Sequence, residues 1–364
     1  MTVAPERGDR LASLVEDNGL GLLLVTKLVN VRYLCGFSGT NGVCLVGPQT
    51  RVLVTDFRYT ERASEEARGW EVVQGQRDLL GDVARLAVER HDGSPLRLGF
   101  DDDDLSVRRH QRLLSLLGDD VELVPEGGLV EQLRAVKDDG ELRLIREAAA
   151  IANDLYVWLI EEHGLAGHTE RDVARALERR AQDGGADDVS FPPIVAAGAN
   201  GAQPHASIRD VEIERGTLVV VDLGCLLDGY CSDCTRTFAT GSVDGESREV
   251  YELVRRAQAA GVDAIRAGAG RQAVDAAARD EIERAGHGDH FGHGTGHGVG
   301  LEVHEEPRLG PGAEGTLAAR NVVTVEPGVY LPGRFGVRIE DLVVVTEGGC
   351  ETLTTVPKEL IEVK

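Results

Sequence analysis

The sequence predicts two domains in tandem: an α/β domain over residues 1–132 and an α+β domain, pseudo-symmetric in its order of elements, over residues 137–352. Three observations predict this. The chain has 364 residues, whereas a single hydrophobic core rarely grows past about 250–300. The first third alternates short apolar runs with amphipathic stretches. The remainder repeats one order twice, two helical segments followed by strand-like runs, without residue-level repetition.

In the first domain GLLLVTK, VCLVGP, RVLVTD, WEVVQG, LRLGFD and VELVP read as strands, and FRYTERASEEAR and DLLGDVARLAVERH as helices. The acidic run 101–104 precedes a helical pattern that starts near Leu105, so it reads as a solvated turn or cap rather than a metal site. The segment LRAVKDDGELRLIREAAAI marks the boundary, its polar residues and Gly140 leading into a helix that runs to about Glu162. A second helix, HTERDVARALERRAQ, has Thr169 as its N-cap. The strands TLVVVDLG and CSDCTRTFA follow, then the helices SREVYELVRRAQAAGVDAI and RQAVDAAARDEIERAG, then strands at VVTVEPGVY and GVRIEDLVVVT.

Composition excludes some partners. Lys+Arg 39 against Asp+Glu 62 gives a net charge of −23, a field that repels nucleic acid and anionic membranes. No apolar run approaches the ~20 residues of a membrane span, and MTVAPERGDR lacks the apolar core of a signal peptide. A cytoplasmic protein is expected. The six cysteines then read as reduced thiols. Cys231 and Cys234 have C-x-x-C spacing but no second such pair, and they read as small buried thiols.

The chemistry concentrates in GHGTGHGVGLEVHEEP, residues 292–307. His293 and His297 have the i, i+4 spacing of a helical zinc site. Yet each interior glycine costs a helix roughly 1 kcal/mol, so the run is better read as loop or strand whose backbone turns sharply or lies against something. Four acids interrupt the apolar strands: Asp222 ends TLVVVD, Asp233 follows a turn at LLDGY that suits a hairpin, Glu326 ends NVVTVE, and Glu340 sits inside GVRIEDLVVV. Burying several carboxylates side by side is prohibitive without compensating cations, and Arg236 and Arg338 are too few. Four carboxylates with one imidazole exceed a tetrahedral zinc site and suit two ions sharing bridging carboxylates. Donors this rich in oxygen favour Mn²⁺, with Co²⁺ or Zn²⁺ as alternatives.

At these residues the sequence resembles the M24 proline peptidases of the pita-bread fold, namely aminopeptidase P and prolidase, with creatinase and methionine aminopeptidase as relatives. HGTGHGVGLEVHE, VVVDLG with SDCTRTF, VEPGVY, GVRIED and FPPIVAAGANGAQPHA carry the likeness, and NVRYLCGFSGTNG with VTDFRYTERA is similar to the creatinase-type N-terminal domain. The resemblance implies a pita-bread catalytic domain in which Asp222 chelates one metal, Asp233 and Glu340 bridge, and His297 and Glu326 hold the second. It implies that His205, His293 and His304 line the substrate site, with Tyr330 and Arg338 on the substrate side or behind the ligands, and that the protein is a homodimer. The expected reaction is hydrolysis of the Xaa–Pro bond at the N-terminus of a short proline-containing peptide. Hydroxide held between two ions attacks, Glu326 or a bridging acid takes the proton, and His304 or His205 stabilises the oxyanion. Proline preference rests on the resemblance alone. Two other readings compete, a metal-free creatinase-like amidinohydrolase and a non-catalytic pita-bread binding module, and the complete set Asp222, Asp233, His297, Glu326 and Glu340 opposes both.

Overall fold

The computed structural model describes residues 6–91 and 95–364, so residues 1–5 of the N-terminal stretch discussed above lie outside the described residues. The chain divides into two compact units, Met1–Arg134 and Ala135–Lys364.

The first unit is an α/β layer structure. Its strands are β1 (Leu22–Val25), β2 (Gly42–Gly47), β3 (Thr50–Asp56), β4 (Glu71–Gly75), β5 (Leu96–Phe100) and β6 (Val121–Pro125). They form one sheet in the order β4-β3-β2-β1-β5-β6, antiparallel at β1/β2 and β2/β3 and parallel at the other three junctions. All six apolar runs are therefore strands. The helices are α1 (Glu6–Asp17), α2 (Leu28–Cys35), α3 (Thr60–Glu66), α4 (Leu80–Glu89), α5 (Val107–Leu116) and α6 (Leu129–Ala135). Leu24, Leu45, Val52, Val83, Ala87 and Leu98 are among the residues of a core between sheet and helices.

Residues 102–104 of the acidic run form the exposed turn expected, and the run departs from expectation only at its first residue. Asp101 is buried, and its Oδ2 accepts the backbone N–H of Thr26 at 3.1 Å and of Lys27 at 3.4 Å, where the chain enters α2. Burial, and then the charge of Glu131, push its carboxyl up to about 7. A carboxyl whose pKa is raised on folding binds its proton more tightly in the folded state. Stability is then fullest below the ordinary value near 4 and is lost as pH rises through about 7. The loss is bounded by about 4 kcal/mol, at roughly 1.4 kcal/mol per unit. Asp101→Asn keeps the acceptor oxygen without the charge, so its melting temperature relative to the parent is expected to climb between pH 5 and pH 8. A difference independent of pH would refute this.

The second unit opens with α7 (Asp139–Trp158), whose last turn continues as a π-helical turn at Leu159–His163, and α8 (Glu170–Asp183). Asp138 and Thr169 cap the two helices in capping boxes with Glu141 and Asp172. Then come β7 (Asp188–Val189), β8 (Ile194–Ala197), β9 (Leu218–Leu223), β10 (Cys225–Leu227), β11 (Tyr230–Cys231) and β12 (Cys234–Ala239). The order repeats with α9 (Gly245–Ala264), α10 (Arg271–Arg284), β13 (Gly296–Gly298), β14 (Glu305–Leu309), β15 (Val322–Val325), β16 (Gly328–Leu331), β17 (Phe335–Arg338), β18 (Asp341–Val345) and β19 (Cys350–Thr352). The sheets run β12-β9-β8, β11-β10-β7, β14-β13-β15-β18-β19 and β16-β17. Helices α7 and α8 pack Tyr156, Leu159, Val173 and Leu177 onto Val195, Val219, Val221 and Phe238, while α9 covers Val329, Val337 and Ile339. No helix among the described residues is long and apolar enough to cross a membrane.

Candidate metal centre

The glycine-flanked histidines lie on strand and loop, not on a helix. Gly296 and Gly298 bracket His297 in β13, which pairs on both sides, with β14 and β15. A Cβ on Gly296 would stand 1.9 Å from the Thr324 carbonyl oxygen, and one on Gly298 2.2 Å from that of Glu306. Close approach, rather than a turn, is what requires glycine at both positions. It lets the neighbouring backbones pinch a strand whose middle side chain, His297, is buried. His297 Nδ1 donates to the Gly298 carbonyl at 3.0 Å. That bond turns Nε2 inward, 3.1 Å from Glu326 Oε1 and 3.8 Å from Asp233 Oδ2.

Each acid reaches the same place by a local device. Asp222 lies in β9 opposite Thr235 of β12. The connecting turn places Asp228 at φ 47 and Gly229 at φ 87, the two left-handed residues of a tight hairpin. Asp233 occupies the break between β11 and β12, and Glu340 the break between β17 and β18, so both stand between strands rather than within one. Where the ladder lapses, side chains that a regular strand would point elsewhere turn toward the centre. Glu326 directly follows β15, its N–H donating to the Thr295 carbonyl at 2.7 Å.

The result is a donor set. One ligand atom from each of Asp233, His297 and Glu340 lies within 4.8 Å of the others, and Glu326 joins through His297. Asp222 is held beside them by Arg338 Nη2, which donates to Oδ2 at 2.6 Å. Among the described residues Asp222 Oδ1 and Glu340 Oε1 are buried and accept no hydrogen bond. Leaving such oxygens unmatched is costly. Burial first, and then neighbouring negative charge, push the Asp233 and Glu340 carboxyls well above the carboxylate range; burial, opposed by Arg338, raises Asp222 less. Burial pushes Glu326 the same way, but the hydrogen bond and charge of His297 outweigh it and bring the carboxyl down to about 2. Burial opposes a charge on His297, yet its bond to Glu326 leaves its pKa raised. Oxygen donors with one imidazole, too few neighbouring cations and orphaned buried oxygens are what divalent ions fit. Arg236 offers no relief, because its guanidinium pairs with Asp341 at 2.8 Å and with backbone carbonyls.

The five residues line a cavity of about 660 Å³ together with His205, His293, His304 and Arg338. His205 and His304 are exposed to it; the His304 ring stands 4.4 Å from that of His297, and burial, then the His297 charge, lower its pKa. His293 is committed differently. Its Nδ1 donates to the Gly294 carbonyl at 2.8 Å, so Nε2 accepts from the Tyr330 hydroxyl at 3.0 Å, and that hydroxyl oxygen accepts from Arg338 Nη1 at 3.0 Å. Tyr330 is buried and stands behind His293 and Arg338 rather than in the cavity wall. Arg338 Nη1 also donates to the Pro204 carbonyl at 3.2 Å, which anchors the loop of His205.

Sequence reasoning missed Arg308, an exposed residue of the cavity wall; a search keyed to histidines and acids passes over an arginine four residues beyond His304. It also missed Thr235, which donates to Glu340 Oε2 at 2.7 Å and accepts from Arg338 Nε at 3.0 Å. All six cysteines are free. Burial pushes the Cys225 thiol up to about 12 and Cys234 higher still, in keeping with inert thiols rather than ligands.

Residues 143–347 match Metallopeptidase family M24, and residues 7–136 match the Creatinase/Prolidase N-terminal domain. The chain is similar to the uncharacterized peptidase YqhT of Bacillus subtilis, 40% identical over 97% of this chain and 99% of the relative. In three dimensions it is similar to an Xaa-Pro dipeptidase from Bacillus anthracis, with a TM-score of 0.93 and 40% identity over 98% of this chain and 99% of that one. It is also similar to an X-Pro aminopeptidase from Thermotoga maritima, with a TM-score of 0.88 and 34% identity over 98% and 99% of the two chains. The fold, the donor set and these likenesses agree: the chain belongs to metallopeptidase family M24, its pita-bread domain preceded by a creatinase/prolidase-type N-terminal domain.

Proposed function

We propose that the protein hydrolyses the Xaa–Pro bond of short peptides, and of dipeptides in preference to longer ones. The convergence of buried Asp233, His297 and Glu340 within 4.8 Å carries this reading. Asp222, Asp233, His297, Glu326 and Glu340 would hold two divalent ions, with Asp233 and Glu340 bridging and Mn²⁺ the best match to the donors. Two such ions supply a water whose pKa is lowered from ~15.7 toward neutrality. Glu326, whose carboxyl is held low by His297, would accept a proton from that water. His304 and His205, on the open side of the cavity, donate N–H groups to the oxygen that gains charge. The complete donor set disfavours a metal-free amidinohydrolase and a non-catalytic module. We take the catalytic domain as residues 137–352 and the N-terminal domain as residues 1–132, a division supported by the break between compact units near Arg134. We further propose a cytoplasmic homodimer, supported by the free thiols and by the resemblance noted above.

His304→Ala is expected to retain its metal while kcat falls on the order of 10²-fold. Loss of metal would instead make His304 a ligand. The preference for dipeptides rests on Arg308, which lines the cavity and whose guanidinium makes no ion pair among the described residues. A dipeptide carries a free carboxylate one residue beyond the scissile bond, and a guanidinium binds it in bidentate fashion. With Mn²⁺-loaded protein, an Xaa-Pro dipeptide should be cleaved faster than an Xaa-Pro-Yaa tripeptide, and Arg308→Ala should raise KM for the dipeptide about tenfold or more. Equal use of both substrates would remove the dipeptide assignment, and cleavage of neither would remove the peptidase reading.

A further inference from the structure

We propose that Asp275 and Arg279, one helical turn apart on α10, are positioning residues that clamp segment 291–295 and so set the placement of His293 in the cavity. The proposal rests on the peptidase reading for its kinetic consequence. Its structural basis is independent of it.

Arg279 grips the segment from behind. Its Nε and Nη2 bind the two oxygens of Asp275 at 2.8 and 2.9 Å, which fixes the plane of the guanidinium. From that plane Nη1 donates to the Phe291 carbonyl at 2.9 Å, and Nη2 donates to the His293 carbonyl at 2.6 Å. The guanidinium also covers the Phe291 ring at 4.2 Å, and that ring meets the His293 imidazole edge-on at 5.0 Å. Asp275 takes the next stretch: its Oδ1 accepts the Thr295 N–H at 3.0 Å and the Thr295 hydroxyl at 2.8 Å. The Thr295 carbonyl in turn accepts the N–H of Glu326 at 2.7 Å. Asp275 and Thr295 are both buried.

A segment rich in glycine has little order of its own, and here it must deliver an imidazole to Tyr330 within hydrogen-bond distance. Two fixed carbonyls and one fixed N–H over five residues supply that order from outside. A displacement of about 1 Å at such a group costs up to ~10²-fold in rate. The pair therefore acts through His293, and through Thr295 on the backbone of Glu326, while neither side chain lines the cavity. A lysine at position 279 reaches one carbonyl but lacks the planar fork that joins both to Asp275.

The test is a double-mutant cycle between positions 279 and 293, read by kcat and KM on an Xaa-Pro dipeptide and by the ¹⁵N resonances of selectively labelled histidine, the His293 signals being assigned by their loss in His293→Ala. Arg279→Ala should lower kcat about tenfold with KM within twofold, retain the parent's metal content and shift the His293 ring resonances. In a His293→Ala background it should cost less than a further twofold, and Arg279→Lys should recover part of the loss. Equal losses in both backgrounds with unmoved His293 resonances would overturn the proposal and leave Arg279 a fold-stabilising residue. Should Arg279→Ala fail to fold, Arg279→Lys enters the same cycle with the same expected non-additivity. A parent protein inactive on Xaa-Pro peptides would refute the peptidase reading, and the His293 resonances would still decide the clamp.

Discussion

Asp233→Ala is expected to leave a folded protein that retains no divalent metal and whose activity on an Xaa-Pro dipeptide falls at least ~10³-fold. Asp233 stands in the break between β11 and β12 with a ligand oxygen within 4.8 Å of donor atoms from both His297 and Glu340. No other carboxylate supplies that position, because Asp222 is held by Arg338 and Glu326 by His297. Stability should move in opposite directions with and without metal. A ligand that binds only the folded state stabilises it by about 2.7 kcal/mol at a hundred times its dissociation constant, and the variant forfeits this. Without metal, Asp233 adds a buried carboxyl to a cluster whose members repel one another, and alanine relieves that repulsion. The metal-free variant should therefore melt above the metal-free parent, while Mn²⁺ raises the melting temperature of the parent alone. Elemental analysis with thermal melts in the presence and absence of Mn²⁺ reads all of this. Two bound ions per chain in the variant, or undiminished turnover, would end the assignment of Asp233 as the ligand both ions share.

What was legible in the sequence follows from how local each cause is. The four inner strands of the first unit, β1, β2, β3 and β5, show themselves because a strand covered on both faces is a nearly continuous apolar run, while the half-buried edge strands β4 and β6 show themselves in shorter runs of valine and leucine. The hairpin joining Asp222 to Asp233 shows itself in Asp228-Gly229, residues that favour the left-handed conformation such a turn needs. Thr169 was readable as a cap because capping is completed within one turn. Other features were hidden because a distant partner creates them. Helix α2, LVNVRYLC, has no helical signature; it is stopped by Gly36 at φ 81, and the N–H groups at its entry are met by Asp101, remote in sequence. The same partnership turned one member of a nominally solvated acidic run into a buried carboxyl. At the site the acids were visible as violations of an apolar pattern, and the glycines as tolerance for close approach. The hydroxyl of Thr235 and the grip of α10 on segment 291–295 were not, since threonine in a strand and an acid–arginine pair in a helix carry no signal of what they touch.

Arg338→Met is expected to destabilise the protein by about 3–5 kcal/mol, the usual consequence of deleting one partner of a buried ion pair. Arg338 is 3% exposed and spends four of its five N–H donors within the site: Nη2 on Asp222, Nε on Thr235, Nη1 on Tyr330 and on the Pro204 carbonyl. Methionine fills the volume of the stem but leaves Asp222 as a buried charge with no cation against it. That makes the loss conditional. A divalent ion at the Asp222 oxygens would restore part of the missing positive charge, so Mn²⁺ should raise the melting temperature of the variant by more than it raises that of the parent. Lysine should recover part of the stability through its charge, yet it cannot reproduce four hydrogen bonds fanned over one plane. The kinetic effect should fall on KM at least as strongly as on kcat, because freeing the Pro204 carbonyl loosens the loop of His205, while Tyr330 keeps its bond to His293. Melts at several Mn²⁺ concentrations, paired with steady-state kinetics, test both parts. A variant as stable as the parent without metal would show that Asp222 is compensated by something other than Arg338, and the account of how this centre tolerates its buried acids would fail with it.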